Sequence, residues 1–319
     1  MTSSPTQPAA PPRAQVVTVL VVGVLAVSMS AVFIRLAREA SGSQNDAFGL
    51  LVAAGRIALA SLLTAPLGFH ALGRERRRTL EPRAFQQAMW LAVGAGVGLA
   101  LHFAFWISSL SFTSVAASTA IVTTNPIWLS LFAWAAYKTA PARGVIVGIA
   151  VSLVGGLFVA LSSGAGSETY SNPAFGNLLA LLGAFAASSY YLLGRAAQHG
   201  GLSLSAYTGI AYTTAAVVLA PMPALFGVPY TGYPLETYLW IALLGLVPQV
   251  IGHTSFNWAM RFMNPAVVTM VILLEPIGSS IAAALLFQEI PRAWTIVGAA
   301  LLLLGVLIAV RAPTRGGRQ

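Results

Sequence analysis

Two ionisable side chains lie inside long apolar runs of the sequence. Arg56 stands within GLLVAAGRIALASLLTAP, and Glu275 stands within VILLEPIGSS. Such a guanidinium needs a carboxylate partner, from a bound solute or from Glu275, and the Glu275 carboxylate could bind an ammonium group or carry a proton. The alternatives are a buried structural pair, snorkelling of Arg56 towards an interface, and satisfaction of Glu275 by backbone groups freed at Pro276. Residue type alone leaves these interpretations open.

Two pairs of side chains in other apolar runs have the spacing of a single helix face. His102 and Trp106 are four residues apart in LALHFAFWISS, and His253 and Asn257 are four apart in IGHTSFNWAM. Aromatic rings with a polar edge suit an amphipathic solute, such as an aromatic or apolar amino acid. The alternative is anchoring at a membrane interface. The central position of His102 and Trp106 in their run favours a binding site.

A polar residue directly before a proline is the most specific site signal in the chain. Asn125 precedes Pro126 in TTNPIW, and Glu275 precedes Pro276 in VILLEPIGSS. A proline inside a helix removes one hydrogen bond and kinks the helix, so carbonyl groups become available to polar neighbours or ligands. Both prolines are therefore predicted helix kinks.

Smaller polar side chains occur in the middle of two further apolar runs. Ser28 lies in AVSMSAVF, and Tyr190 lies in AASSYYLL. These groups could line the same site, and hydrogen bonding between helices is the alternative.

The composition indicates that lipid is the main solvent of the chain. Of 319 residues, 57% are hydrophobic and 8% are charged, whereas a soluble domain has about a quarter charged residues. The net charge of +9 comes from basic residues crowded into a few loops, so nucleic acid is not an expected partner. Cysteine is absent, the four histidines are scattered, and no nucleotide-binding or metalloprotease motif occurs. No cofactor, metal site or ATP-driven pump is expected.

Ten apolar windows are long enough to cross a bilayer as helices. They lie near residues 15–36, 47–68, 87–109, 114–137, 144–162, 174–196, 203–226, 236–260, 265–288 and 293–311. Most Lys and Arg residues of the loops fall on the side of the N-terminus, so the positive-inside rule places both termini in the cytoplasm. Residues 1–13 are an expected disordered lead, and residues 312–319 an expected basic cytoplasmic tail.

An internal repeat divides the chain into two halves. A shift of 150 residues superposes Trp90 on Trp240, Pro126 on Pro276, Pro141 on Pro291, Gly148 on Gly298 and Gly155 on Gly305. A shift of 160 residues places Gly23, Ser28 and Arg35 on Gly183, Ser188 and Arg195, although this match is weaker. Chance agreement among Gly- and Ala-rich helices is the alternative, but the longer register needs no gap from residue 90 to residue 160.

The repeat predicts the orientation of the halves. The predicted units are residues 14–162 and 174–311, joined by the linker 163–173, with five spans each. Because five is an odd number, the second unit must enter the bilayer from the opposite side. Inverted repeats are typical of alternating-access transporters, whose substrate site lies near the midplane.

The second half ends in LLEPIGSSIAAALLFQEIPRAWTIVGAALLLLGVLIAV, which resembles an EamA repeat of the drug/metabolite transporter superfamily. The residues that carry the resemblance are Pro276, Glu289, Gly298 and Gly305, with Arg56 in RIALASLLTAP. The first half matches at Pro126, Gly148 and Gly155 but has Thr139 opposite Glu289. The resemblance implies an all-α fold of ten membrane helices, with the first to fourth and the sixth to ninth around a central cavity, and export of small solutes. Within the family, the chain most resembles bacterial exporters of aromatic and other neutral amino acids.

The leading hypothesis is a secondary transporter in the bacterial inner membrane, present as a monomer or weak dimer. Its partners are a small-molecule substrate and the lipid bilayer, and protons are a candidate coupling ion through His102 and Glu275. The predicted substrate-binding residues are Ser28, Arg56, His102, Trp106, Asn125, Tyr190, His253, Asn257 and Glu275. The alternatives are a multidrug exporter of cationic compounds, a metabolite importer and an intramembrane enzyme. An enzyme would need a nucleophile paired with a base, and His102 has no such partner by spacing.

Overall fold

The computed structural model describes residues 11–45, 47–78, 81–109, 112–113, 118, 121–122, 124–138, 140–163, 172–287 and 293–312. All secondary structure in these residues is helical. In chain order the helices are α1 Arg13–Ser28, α2 Ser30–Ser41, α3 Phe48–Arg78, α4 Pro82–Ser109, α5 Asn125–Tyr137, α6 Arg143–Ser163, α7 Pro173–His199, α8 Leu204–Leu219, α9 Met222–Leu225, α10 Leu235–Leu244, α11 Thr254–Ala259, α12 Pro265–Ile272, α13 Glu275–Phe287 and α14 Ala293–Arg311. A π-helical segment, Gly245–His253, joins α10 to α11.

Most of these helices are suited to a bilayer. Eight helical stretches of the described residues are long and apolar enough to cross it: α1–α2, α3, α4, α7, α8–α9, α10–α11, α12–α13 and α14. Helix α6 contributes a shorter apolar stretch. Leu62, Trp90 and Trp294 are 60 to 71% exposed, as expected for surfaces in contact with lipid. The chain is therefore a multi-pass membrane protein.

Some expectations lie beyond what these residues test. The fourth window, 114–137, is described only in part, so a total of ten spans stays a prediction. The cytoplasmic location of both termini also stays a prediction. Thr139 and Glu289, which mark the difference between the repeats, both lie outside the described residues.

The helix boundaries follow the repeat register. Helices α5 and α13 begin at Asn125 and Glu275, which are 150 residues apart. Helix α6 begins at Arg143, and the position 150 residues later, Ala293, lies in helix α14. We call α1–α6 the first half and α7–α14 the second half.

The helices also pack in equivalent pairs. Helix α4 packs on α7, and the run from α10 to α11 packs on α1. Helix α5 likewise packs on α7, and α13 packs on α1. Each half therefore contacts the first helix of the other half in the same way.

Helices α6 and α14 form a closely packed pair through glycines. A Cβ atom at Gly148 would lie 2.6 Å from the carbonyl oxygen of Gly305, and a Cβ atom at Gly155 would lie 2.6 Å from that of Gly298. Only glycine allows the two backbones to approach so closely, which is a common way for membrane helices to associate.

The predicted proline kinks are the starts of new helices. Pro126 and Pro276 are the second residues of α5 and α13, a position where a proline leaves no helix hydrogen bond unmade. Between α12 and α13, Leu273 and Leu274 form a turn whose N–H groups bond to carbonyls three residues earlier, at 3.1 and 3.0 Å. Asn125 and Glu275 thus occupy the first positions of helices that begin inside the bundle.

Candidate functional site

Arg56 on α3 is a buried charge that joins three elements. Its side chain is 2% exposed. The Nε atom donates a hydrogen bond to Oε1 of Gln249 in the π segment at 2.9 Å, and the guanidinium carbon lies 4.3 Å from the ring centre of Phe103 on α4. The Nη2 atom has no hydrogen-bond partner, and Arg56 forms no ion pair in the described part of the chain.

Asn257 on α11 is the centre of a buried hydrogen-bond network. Its Nδ2 atom donates to the hydroxyl of Tyr190 on α7 at 2.6 Å and to that of Tyr212 on α8 at 3.3 Å. Its backbone carbonyl accepts a hydrogen bond from Nε2 of Gln198 at 3.1 Å. The Tyr212 hydroxyl also pairs with the hydroxyl of Thr254 at 3.1 Å. The network holds α7, α8 and α11 together in the interior.

His102 and Trp106 form a stacked pair on α4. Their ring centroids are 5.9 Å apart and their planes differ by 4°. The Nδ1 atom of His102 lies 3.0 Å from the carbonyl oxygen of Gly183 on α7, so this imidazole is fixed against the other half. The buried Nε1 atom of Trp106 has no hydrogen-bond partner among the residues that the structure describes. The pair therefore presents an aromatic surface with one unused donor.

His253, at the end of the π segment, is held by a side chain rather than by the backbone. Its Nδ1 atom lies 3.4 Å from the hydroxyl of Tyr191 on α7. Its ring meets Phe103 edge-on, with 6.1 Å between ring centroids. Phe103 therefore touches both Arg56 and His253 and links the charge to the second imidazole.

The two helix starts are bound to the opposite half by matching serines. The hydroxyl of Ser28 on α1 donates to the carbonyl oxygen of Glu275 at 3.3 Å, and the hydroxyl of Ser188 on α7 donates to that of Asn125 at 3.0 Å. The Oδ1 atom of Asn125 is buried without a partner. Among the described residues, nothing forms a hydrogen bond or ion pair with the half-buried Glu275 carboxylate, although its charge is close enough to act on Arg56.

The structure joins six of the predicted site residues through a chain of contacts: Arg56, His102, Trp106, Tyr190, His253 and Asn257. Ser28, Asn125 and Glu275 lie instead in the two serine contacts at the helix starts. The considered pair between Arg56 and Glu275 is not a direct ion pair in the described part of the chain. The Arg56 Nε atom is bonded to Gln249 instead.

Four residues of this region did not stand out in the sequence: Phe103, Tyr191, Tyr212 and Gln249. Gln249 follows Pro248 in LVPQVIG, so a polar residue beside a proline marks it as it marks Asn125 and Glu275. No comparable signal distinguishes Tyr191 or Tyr212 from other tyrosines in apolar runs. Their role depends on which helices meet, and a single sequence does not give that.

The π segment carries Gln249 and His253 into the same region. Its nine residues, Gly245–His253, include Pro248, which cannot donate a helix hydrogen bond. π-helical turns are rare and occur frequently at functional sites. Here Gln249 meets Arg56, and His253 meets Tyr191.

Comparisons with known proteins agree with this architecture. The chain is 25% identical over 287 residues to the Escherichia coli inner membrane protein YtfF, a match that covers 82% of this chain and 87% of that protein. It is 28% identical over 215 residues to the Bacillus subtilis uncharacterized transporter YdfC, covering 65% of this chain and 67% of that one. A solved crystal structure superposes with a TM-score of 0.74 at 18% identity and covers 94% of this chain and 98% of its own, which shows a shared fold.

The sequence pattern of the EamA-like transporter family matches the chain twice, at residues 15–161 and 174–311. The family and the names of the relatives indicate a transporter rather than an enzyme. Because the two matches cover most of the sequence, the protein belongs to the EamA-like transporter family.

Proposed function

We propose that the protein is a secondary transporter that exports small amphipathic metabolites, with neutral and aromatic amino acids as the substrate class. Transport proceeds by alternating access to a site near the bilayer midplane, in a bacterial inner membrane. His102 and Glu275 are the candidate groups for proton coupling. The proposal adds a substrate class, a direction and a mechanism to the family assignment.

The observation that carries the proposal is the matched pair of helix starts inside the bundle. Glu275 begins α13 against Ser28, and Asn125 begins α5 against Ser188. Equivalent contacts at both places support two repeats of opposite orientation, in which one half can rock against the other about a central site. Broken helices with polar residues near the midplane are typical of solute sites in such carriers.

The side chains around these starts favour an amphipathic solute. The stacked rings of His102 and Trp106 offer a flat apolar surface with an unused indole N–H. Arg56 and Asn125 offer a donor and an acceptor that are unsatisfied within the described part of the chain. A solute with an aromatic or apolar body and a polar end would meet both kinds of surface.

Counterflow of labelled amino acids in proteoliposomes, with and without a pH gradient, tests the proposal. We expect Trp106→Ala and Glu275→Gln to reduce counterflow at least about tenfold, because each removes a group that contacts the solute. A pH gradient that drives accumulation in the parent but not in Glu275→Gln would support proton coupling.

Two matched variants serve as controls for this experiment. Trp294→Ala removes a Trp that is 60% exposed on α14, and Glu236→Gln removes an exposed carboxylate at the start of α10. Both should transport like the parent. Counterflow that is indifferent to Trp106→Ala and Glu275→Gln would refute the site, and binding without counterflow would indicate a receptor.

A further inference from the structure

The hydrogen bonds of Arg56 leave part of its guanidinium group unused. The side chain is buried, its Nε atom is bonded to Gln249, and its Nη2 atom has no partner. A buried charge without a paired anion is costly in a membrane protein. The Glu275 carboxylate acts on Arg56 through its charge but does not contact the guanidinium.

Gln249 supplies a second donor close to Arg56. Its side chain is 0% exposed. Because Arg56 Nε can only donate, the Gln249 oxygen must face it, and the amide nitrogen Nε2 is then free to bond elsewhere. Among the described residues this buried nitrogen makes no hydrogen bond of ordinary length, and the Tyr212 hydroxyl is its polar neighbour.

The surroundings restrict how a ligand can reach these donors. The Phe103 ring covers one face of the guanidinium at 4.3 Å, and the N–H groups point outwards in the plane of the group, so an acceptor approaches in that plane. The edge of a guanidinium matches the two oxygens of a planar carboxylate, which can accept hydrogen bonds in parallel. Neither an ammonium group nor a neutral amide nitrogen can use two donors in this way.

We infer that Arg56 and Gln249 form a carboxylate-binding subsite, so the solutes that the protein recognises carry a carboxylate. The inference rests on the proposed function, in which the ligand of this subsite is the transported solute. It narrows the substrate class by excluding cationic compounds that lack an acid group. Arg56 is then compensated by its ligand rather than by Glu275.

Melting temperatures of the purified protein, measured with four related compounds, test the inference directly. Phenylalanine and 3-phenylpropionate share a carboxylate, whereas phenylalaninamide and phenethylamine keep the ring but lack the acid. We expect only the first two to raise the melting temperature, because a ligand that binds the folded state stabilises it. Equal stabilisation by phenylalaninamide, or no stabilisation by either acid, would overturn the inference.

Variants separate a binding role from a structural role. Arg56→Gln should keep the melting temperature of the unliganded protein near that of the parent, or raise it, and should lose the shift caused by the acids. Gln249→Leu should lose that shift too, but it should lower the unliganded melting temperature, because it leaves the buried Arg56 Nε without its acceptor. Arg56→Lys keeps the charge without the planar fork and should lose most of the shift. Ser61→Ala is a control on the same helix α3: it removes a hydroxyl that is bonded to Thr213 on α8, and it should retain the shift caused by the acids. A large loss of unliganded stability in both Arg56 variants, with the acid shift intact, would make Arg56 structural.

Transport of the same four compounds distinguishes failure of the inference from failure of the proposed function. Phenylalaninamide carried as fast as phenylalanine would overturn the carboxylate subsite and leave the carrier in place. Selective stabilisation by the acids without counterflow of any compound would leave the subsite in place and refute the carrier.

Discussion

Helix α4 and the run from α10 to α11 occupy equivalent positions in the two halves, but they are built differently. Helix α4 is a continuous α-helix from Pro82 to Ser109, whereas the equivalent run contains the π segment with Pro248. The register pairs Phe103 with His253 and Ile107 with Asn257, so apolar side chains of α4 stand opposite polar ones in the second half. The two halves share the packing of these helices, which we call the packing frame, but they differ in the polar side chains that the helices carry.

The difference shows which features the frame requires. Gly183 on α7 lies against the Cβ and backbone atoms of Trp106, and Gly23 on α1 lies against the ring of Phe256, the register partner of Trp106. Both contacts need a glycine on the facing helix, and both are kept. The π segment departs from the frame only where Gln249 meets Arg56 and His253 meets Tyr191. We therefore expect changes in the π segment and in α11 to have effects that the same changes in α4 lack.

The largest effect is expected at Asn257. Replacement by Leu leaves the buried Tyr190 hydroxyl without the amide that donates to it and also removes a partner of the Tyr212 hydroxyl. An unsatisfied buried polar group costs about 1–3 kcal/mol, so the free energy of unfolding should fall by about 2 kcal/mol. Thermal unfolding in detergent measures the loss. Ile107→Val at the equivalent position of α4 is the control and should cost about 1 kcal/mol; equal losses would mean that the network adds nothing.

The next effect is expected at Pro248. Replacement by Ala restores a backbone N–H and allows the π segment to become an ordinary α-helix, which would turn Gln249 away from Arg56. Transport should fall about tenfold, while the melting temperature stays constant or rises. Pro66→Ala, which removes a proline from inside the regular helix α3, should leave transport unchanged. A Pro248→Ala variant that transports normally would show that the π geometry is dispensable.

A smaller effect is expected at Trp106, whose register partner is Phe256. Because Gly183 meets the Cβ and backbone atoms of Trp106 rather than its ring, Trp106→Phe keeps that contact and should fold with nearly the stability of the parent. Its affinity for aromatic solutes should fall about threefold to fivefold, since a favourable aromatic contact contributes about 0.5–1.5 kcal/mol. Competition binding measures the change. If stability falls instead and affinity does not, Trp106 is a packing residue only.

The comparison also separates what the sequence can predict from what it cannot. The membrane helices and the 150-residue register follow from local signals, and the starts of α5 and α13 lie at the two predicted prolines. The stacked pair of His102 and Trp106 follows from helix spacing. The cross-links from Gln249 to Arg56 and from Asn257 to Tyr212 depend on which helices pack together.

The π segment is a further limit of sequence-based prediction. An apolar run of this kind gives the same hydropathy signal whether its turns are α- or π-helical. Pro248 is compatible with a simple kink, and only the backbone hydrogen bonds distinguish the two. The sequence therefore shows which polar residues the second half contains, but it does not show where the π segment places them.

The smallest effect is expected where the halves agree most closely. Ser28 and Ser188 each donate to a carbonyl of their own helix and to the first residue of α13 or α5 in the opposite half. Hydrogen bonds between membrane helices contribute about 0.6 kcal/mol on average, so Ser28→Ala and Ser188→Ala should each lose about that much stability. Thermal unfolding of the two variants and of the double variant measures the losses, which should be equal and should add, because the two contacts share no residue.

Transport by the same two variants should differ. Glu275 carries a charge and Asn125 does not, so Ser28→Ala, which loosens α13, should lower transport more than Ser188→Ala, which loosens α5. Equal transport in both variants would mean that the asymmetry between Asn125 and Glu275 has no part in moving the solute.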